Sequence, residues 1–305
     1  MPDIGQRVLK DDDKLKALIV TGHTDIHHDW RTISPMLRDL LKETGLFDVR
    51  ITEEFRGAGP ETLDEYDLVV LNYFGRFEPW SRAPEKRWGA SAEQALYDFV
   101  AAGKGVVVYH ASLQMGAGWE DDFETMAGGV MREHCSRRAP IDDFRLHVVN
   151  DDHPITAGMP EFMPHYDDDL YVNLQWAPDA DVEVLVTGWD NPLRYTKVPE
   201  QWDALPGMGE EHALVWTNRY GDGRVFASGI GHGPDAVSHP SFRGLFARGC
   251  EWAATGKVTL ELPEAFGEPV PGGDWWPTTL EPMVRDMYDQ RRRPTPSAME
   301  EGVST

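Results

Sequence analysis

Short apolar runs rich in β-branched residues alternate, over the first 110 positions, with stretches whose apolar residues recur every three or four. Residues 15–20 (Leu-Lys-Ala-Leu-Ile-Val) predict a buried strand, and a polar loop follows over 21–30. Ser34-Pro35 then predicts a helix start, with Ser34 as cap and Pro35 in the first turn. Met36, Leu37, Leu40 and Leu41 share one face of that helix, and Gly45 ends it. Residues 47–52 and 66–73 read as strands, 92–102 as a helix with Ala95, Leu96, Phe99 and Val100 on one face, and 106–110 as a further strand. The order β-α-β-β-α-β, with short continuously apolar strands, implies an α/β fold: a mainly parallel sheet covered on both faces.

The second half is less regular. Residues 144–149 and 183–187 read as strands, while 214–219 and 224–228 read as a hairpin turning at Gly221-Asp222-Gly223. Residues 242–254 form a closing helix, and beyond 262 Pro, Gly and charge accumulate. One α/β domain over 15–263 is therefore expected, followed by a C-terminal extension over 264–305 that is partly disordered. Within the extension, Asp274-Trp-Trp276 reads as a segment that packs on the domain or on a partner subunit, which allows for a homo-oligomer. No internal repeat is evident.

Three of the apolar runs end in histidine: Lys16 to His23, Gly105 to His110 and Arg224 to His232. Ligands in open α/β sheets bind outside the carboxyl ends of the strands, so imidazoles from distant segments are expected to meet in one cleft. The first loop, Gly22-His-Thr-Asp-Ile-His-His-Asp-Trp30, offers His28-Asp29 as its best chemical pair, with Trp30 anchoring it against the core. The plainer reading of that loop is a polar surface with a helix-capping Asp. For His110 the ordinary alternative is a buried ring satisfied by a backbone carbonyl. Imidazole is both a zinc ligand and a proton carrier near neutral pH. His28, His110 and His232 are thus candidate catalytic groups and candidate ligands of a divalent metal, zinc first.

Tyr166-Asp-Asp-Asp-Leu-Tyr171 places three carboxylates in succession, which is either a solvated turn or, in a cleft, a source of a general base or a hard-metal ligand. Asp168 is the candidate base. Trp30, Gln114, Tyr171 and His212 are candidate substrate contacts, the two aromatic rings as apolar faces for a sugar. His232 lies in Gly229-Ile-Gly-His-Gly233, where glycine permits close backbone approach. Neither a phosphate loop nor the spaced dinucleotide glycines occur, so no nucleotide cofactor is expected. His134-Cys135 lacks a strand-to-helix elbow, and Cys250 lies within an apolar helix; both thiols read as structural.

The chain has 305 residues, 52 acidic against 29 Lys and Arg, and a formal net charge of -23. That field opposes nucleic acid and anionic membranes as partners. No apolar run reaches the roughly 20 residues needed to span a bilayer. Residues 1–14 carry charges where a signal peptide needs an apolar core, and two cysteines make no disulfide framework. The expected location is the cytoplasm.

His28-Asp-Trp30, Val108-Tyr-His110, Asp152-His-Pro-Ile155, Asp168-Asp-Leu-Tyr171, Tyr220-Gly-Asp-Gly-Arg-Val-Phe226, Gly231-His232 and Arg248-Gly-Cys-Glu-Trp-Ala-Ala-Thr-Gly256 occur in that order. Together these motifs resemble the trehalose-utilisation, or ThuA-like, family over residues 15–263. The resemblance implies the flavodoxin-like sandwich of class I glutamine amidotransferases. Those enzymes need Gly-x-Cys-x-Gly after a central strand; here the stretch is His110-Ala-Ser-Leu-Gln114, so glutamine hydrolysis is not expected. The family's link to sugar use, often beside dehydrogenases that make keto-sugars, implies a small carbohydrate as partner. It also implies hydrolysis, elimination or isomerisation of a sugar or keto-glycoside by His/Asp acid–base chemistry, with or without a metal. The alternative is a sugar-binding or regulatory module without catalysis.

Overall fold

The structure is a computed structural model that describes residues 13–24, 27–74, 87–115, 120–132, 134–197 and 209–262. The expectations for residues 263–305, including Asp274-Trp-Trp276, lie outside the described residues.

The first half follows the hydrophobic pattern. Strand β1 (Leu15–Val20) leads to helix α1 (Trp30–Glu43), then β2 (Phe47–Thr52), the short helix α2 (Pro60–Leu63) and β3 (Leu68–Leu71). Helix α3 (Ala90–Ala101) and β4 (Gly105–Tyr109) complete it. Helix α1 starts four residues before the predicted Ser34. Its cap is Asp29, whose carboxylate accepts from the Arg31 amide at 3.1 Å and the Thr32 hydroxyl at 2.6 Å. Pro35 therefore sits inside the helix. The Ser34 hydroxyl serves a buried network instead, donating to Thr21 Oγ1 and accepting from Asn72 Nδ2.

The second half adds α4 (Glu120–Ala127), the two-residue strands β5 (Gly129–Val130) and β6 (Arg137–Arg138), and the longer β7 (Asp142–Val148) and β8 (Phe162–Asp168). Strands β9 (Tyr171–Val172), β10 (Gln175–Trp176), β11 (Glu183–Trp189), β12 (Glu211–Tyr220) and β13 (Gly223–Ser228) follow, and α5 (Pro234–Ser238) and α6 (Pro240–Thr255) close the fold. β8 is not evident from the sequence, because Pro164 interrupts its pattern; as an edge strand it tolerates a residue without an amide hydrogen.

Nine strands form one sheet in the order β2-β1-β3-β4-β13-β12-β11-β7-β8. Its first five members are parallel, in the flavodoxin-like order. The predicted parallel arrangement holds for this half, and β12, β11, β7 and β8 extend it antiparallel. Alternate residues of each parallel strand enter opposite layers. Ala17, Ile19, Val107 and Phe226 pack under α1 and α6, while Leu18, Val20, Val106, Val108 and Val225 pack under α3 and α4. Because β1, β4 and β13 run in the same direction, the loops carrying His28, His110 and His232 leave from one edge. Among the described residues, no helix is long and apolar enough to cross a membrane.

Candidate functional site

Each of the three loops is held by local chemistry. His28 directly precedes the Asp29 cap, and its carbonyl accepts from the Trp30 amide at 3.0 Å. His110 leaves β4 with a φ of 39°, a left-handed backbone that costs a residue with a β-carbon about 1–2 kcal/mol. The chain turns there into a single 3-10 turn, His110–Gln114. His232 follows Gly231, whose φ is 106°; a β-carbon at Gly231 would stand 2.6 Å from Phe242 and 2.8 Å from Tyr109. The Tyr109 hydroxyl donates to the Gly231 carbonyl and pins this loop over β4.

The imidazoles converge. Ring centroids lie 5.0 Å apart for His28 and His110, 4.7 Å for His28 and His232, and 5.3 Å for His110 and His232. One nitrogen of each ring lies within 4.8 Å of those of the other two. His110 Nδ1 donates to the Gly229 carbonyl at 2.8 Å, so the Nε2 lone pair of the neutral ring points into the cluster. Burial, then the neighbouring His28 and His232, push the His110 pKa well below the usual imidazole range. The ring therefore stays neutral. Tyr171 stacks on it at 4.8 Å, with its hydroxyl 3.2 Å from Nε2, and Gln114 Nε2 donates to that hydroxyl at 2.8 Å.

Two adjacent carboxylates divide the remaining work. Asp168, expected as the base, is fully buried, and both of its oxygens are occupied. Oδ2 accepts from the Gly231 amide and from His165 Nε2, each at 2.6 Å. Oδ1 accepts from the His232 and Asp169 amides, each at 2.9 Å. Asp168 thus fixes the loop that carries His232. Asp169 faces the imidazoles instead: its oxygens lie 3.6 Å from His110 Nε2 and 3.5 Å from His232 Nδ1, with Arg138 at 3.7 Å.

The sequence pattern of the family described as trehalose utilisation (ThuA) matches residues 16–253. The chain belongs to the ThuA family. Among solved structures it is similar to a putative ThuA-like protein from Parabacteroides merdae, at 25% identity and a TM-score of 0.67, over 83% of this chain and 94% of that one. A putative ThuA-like protein from Bacteroides uniformis is similar at 21% identity and a TM-score of 0.57, over 80% and 93%. A cytoplasmic protein of Salmonella typhimurium shares the fold at 15% identity and a TM-score of 0.51, over 78% and 99%. Among curated proteins none matches.

In this ThuA-family chain the turn after β4 holds His110 and Ser112, and the Ser112 hydroxyl donates to the Leu71 carbonyl and accepts from the Tyr73 amide, each at 2.9 Å. Cys250 is buried, and burial raises its pKa well above the usual thiol range; Cys135 lies beside Ser136. Other expected contacts are placed differently from the sequence reading. Tyr171 is fully buried against His110, so it orients that ring and offers no open face to a sugar. Gln114 acts through Tyr171. Trp30 opens α1 half-buried, under the Arg31 guanidinium at 4.3 Å. His212 Nδ1 accepts from the Asn173 amide at 3.4 Å, and the ring faces Asp190. Asp169 and Arg138 were not singled out in the sequence. The signal available was the run of three aspartates, in which only a strand register could tell the two roles apart.

Proposed function

We propose that this ThuA-family protein is an enzyme acting on a sugar or keto-glycoside, with His28, His110, His232 and Asp169 as its reaction centre and a divalent cation, zinc first, held there. The observation that carries the reading is the spacing of the donor atoms. His110 Nε2 and His232 Nδ1 stand 3.2 Å apart, and Asp169 oxygens stand 3.5 and 3.6 Å from them. Ligands about 2.0–2.1 Å from one tetrahedral ion lie roughly 3.3 Å from each other. The Gly229 carbonyl on His110 Nδ1 is the outer partner that orients a metal-binding ring.

Such an ion supplies Lewis acidity toward an oxygen of the bound sugar. The chain's own groups do the rest. His110 is locked in one tautomer and kept neutral by burial, so its lone pair stays directed at the cluster. A carbonyl on a keto-sugar acidifies the neighbouring C–H, and Asp169, beside the three imidazoles, accepts that proton at a carboxylate oxygen. Elimination and isomerisation both begin with this transfer, whereas hydrolysis requires the same group to take a proton from water. The Tyr171 hydroxyl, whose pKa burial raises far above its usual value, remains a hydrogen-bond donor at the cluster.

The test is turnover of a panel of glycosides and their oxidised forms by the wild type and by His110→Ala and His232→Ala. Loss of turnover in both variants supports the reading. Full turnover in either one refutes it. Calorimetric sugar binding with no product by mass spectrometry would instead favour the sugar-binding module.

A further inference from the structure

The hydroxyl hydrogen of Tyr171 has one acceptor in reach. Tyr171 is fully buried, so its hydroxyl is shielded from solvent. Gln114 Nε2 donates to the hydroxyl oxygen at 2.8 Å, which leaves the hydroxyl its own hydrogen to place. Its remaining partner among the described residues is His110 Nε2, at 3.2 Å. His110 Nδ1 already donates to the Gly229 carbonyl at 2.8 Å, so Nε2 of the neutral ring carries a lone pair and no hydrogen. Tyr171 therefore donates and His110 Nε2 accepts. The same nitrogen stands 3.2 Å from His232 Nδ1, and His110 is one of the three histidines whose ring nitrogens gather in the cluster.

A neutral imidazole offers a single lone pair, and a hydrogen bond and a metal ion cannot both use it. Resting on the proposed reading of the histidine cluster as a cation site, we infer that Tyr171 is a positioning residue that competes with the cation for His110 Nε2. It holds the ring in place while the site is empty and lowers the affinity of the site for the ion. Two costs attend entry of the ion. The Tyr171–His110 hydrogen bond breaks, and a buried donor loses its acceptor. Together they weaken binding about tenfold or more. The cation is accordingly exchangeable and not locked into the fold.

A Tyr171 that served only to support the His110 ring makes the opposite prediction. Tyr171→Phe keeps the ring stacked on His110 at 4.8 Å and loses the hydroxyl. With support alone at stake, the variant binds the ion equally well or more weakly. With competition, it is the tighter binder. The Gln114 amide also loses its acceptor in the variant, but it does so with and without the ion. That loss lowers stability and cancels from the affinity, so the sign of the change separates the two roles.

The experiment is competition for zinc between a chelator of known affinity and the full chain, as wild type and as Tyr171→Phe. The variant is expected to hold its zinc about tenfold or more tighter than wild type. Adding His110→Gly to the variant is expected to return zinc to background. Equal or weaker zinc binding by Tyr171→Phe would overturn the inference. So would tighter binding that survives His110→Gly, since the ion would then lie elsewhere. Should Tyr171→Phe not fold, proton NMR of the wild type decides. The Tyr171 hydroxyl hydrogen is expected to give cross-peaks to the His110 ring in the zinc-free protein and to lose them when zinc is added. Cross-peaks that persist in the zinc-bound protein, or that are missing without zinc, would overturn the inference as well. Affinity is read here without turnover. Zinc bound equally by both proteins refutes the role of Tyr171 alone, whereas background zinc in both refutes the cation site itself.

Discussion

Asp168→Asn and Asp169→Asn are isosteric changes at neighbouring positions, and the structure assigns them opposite outcomes. Asp168 accepts four hydrogen bonds, two at each oxygen. An asparagine amide keeps one oxygen. Whichever way it turns, its NH2 meets two donors: the Gly231 amide and His165, or the His232 and Asp169 amides. Two bonds to a charged acceptor, each contributing about 1.5–3 kcal/mol, are lost. Breaking a buried pair by removing one partner costs about 3–5 kcal/mol, which falls within the about 3–6 kcal/mol that those two bonds give. A loss of about 3–5 kcal/mol is expected, against a total stability of about 5–15 kcal/mol. Asp169→Asn removes a charge that faces the imidazoles and Arg138 and disturbs no backbone anchor. Its stability loss is expected to be clearly smaller than that of Asp168→Asn, because Arg138, its ion-pair partner, is one-third exposed and stays hydrated, while turnover is lost. Urea denaturation followed by circular dichroism at pH 7, with linear extrapolation, measures both. If Asp168→Asn lost less than about 3 kcal/mol, or Asp169→Asn lost as much as Asp168→Asn, the division of roles between the two carboxylates would be wrong.

Three further outcomes follow from the same contacts. His110→Gly and His110→Ala both delete the ring but differ in tolerance of a φ of 39°, so the glycine variant is expected to be the more stable by about 1–2 kcal/mol in chemical denaturation; the reverse order would contradict the left-handed backbone. Gly249 lies in α6 where a β-carbon would stand 2.4 Å from the Phe226 ring, so Gly249→Ala is expected to lower stability by about 1–3 kcal/mol rather than raise it as at an open helix site. His239 caps α6 by accepting the Ser241 amide at Nδ1, and burial, helped by nearby His165, lowers its pKa to about 4. Its folded pKa lies below the unfolded value of about 6.5, so the stabilisation is complete above that value and declines as pH falls toward 4. Wild type is expected to lose about 2 kcal/mol more than His239→Asn, which keeps a capping side chain, between pH 7 and pH 5. Equal losses in parallel urea melts would contradict the assignment.

The parallel half of the fold was legible because its strands are short, continuously apolar and β-branched, and because helical spacing marks α1 and α3. The three histidines were legible for the same reason: each ends or closely follows a strand whose direction the alternation dictates. What the sequence hid is set by tertiary chemistry. Ser34-Pro35 looks like a helix start, yet Asp29 competes for the cap and wins with two hydrogen bonds. Asp168 and Asp169 are indistinguishable as letters, and only the docking of the Gly231 loop decides which one is consumed. Tyr171 reads as a sugar platform until its stacking on His110 is seen.

The central claim is that His28, His110 and His232 together hold one cation beside Asp169. Elemental analysis of the protein after equilibration with zinc and removal of free metal tests it most directly. The account requires about one zinc ion per chain in wild type and a background level in folded His110→Gly. A background level in wild type, or an equal content in both proteins, would contradict it.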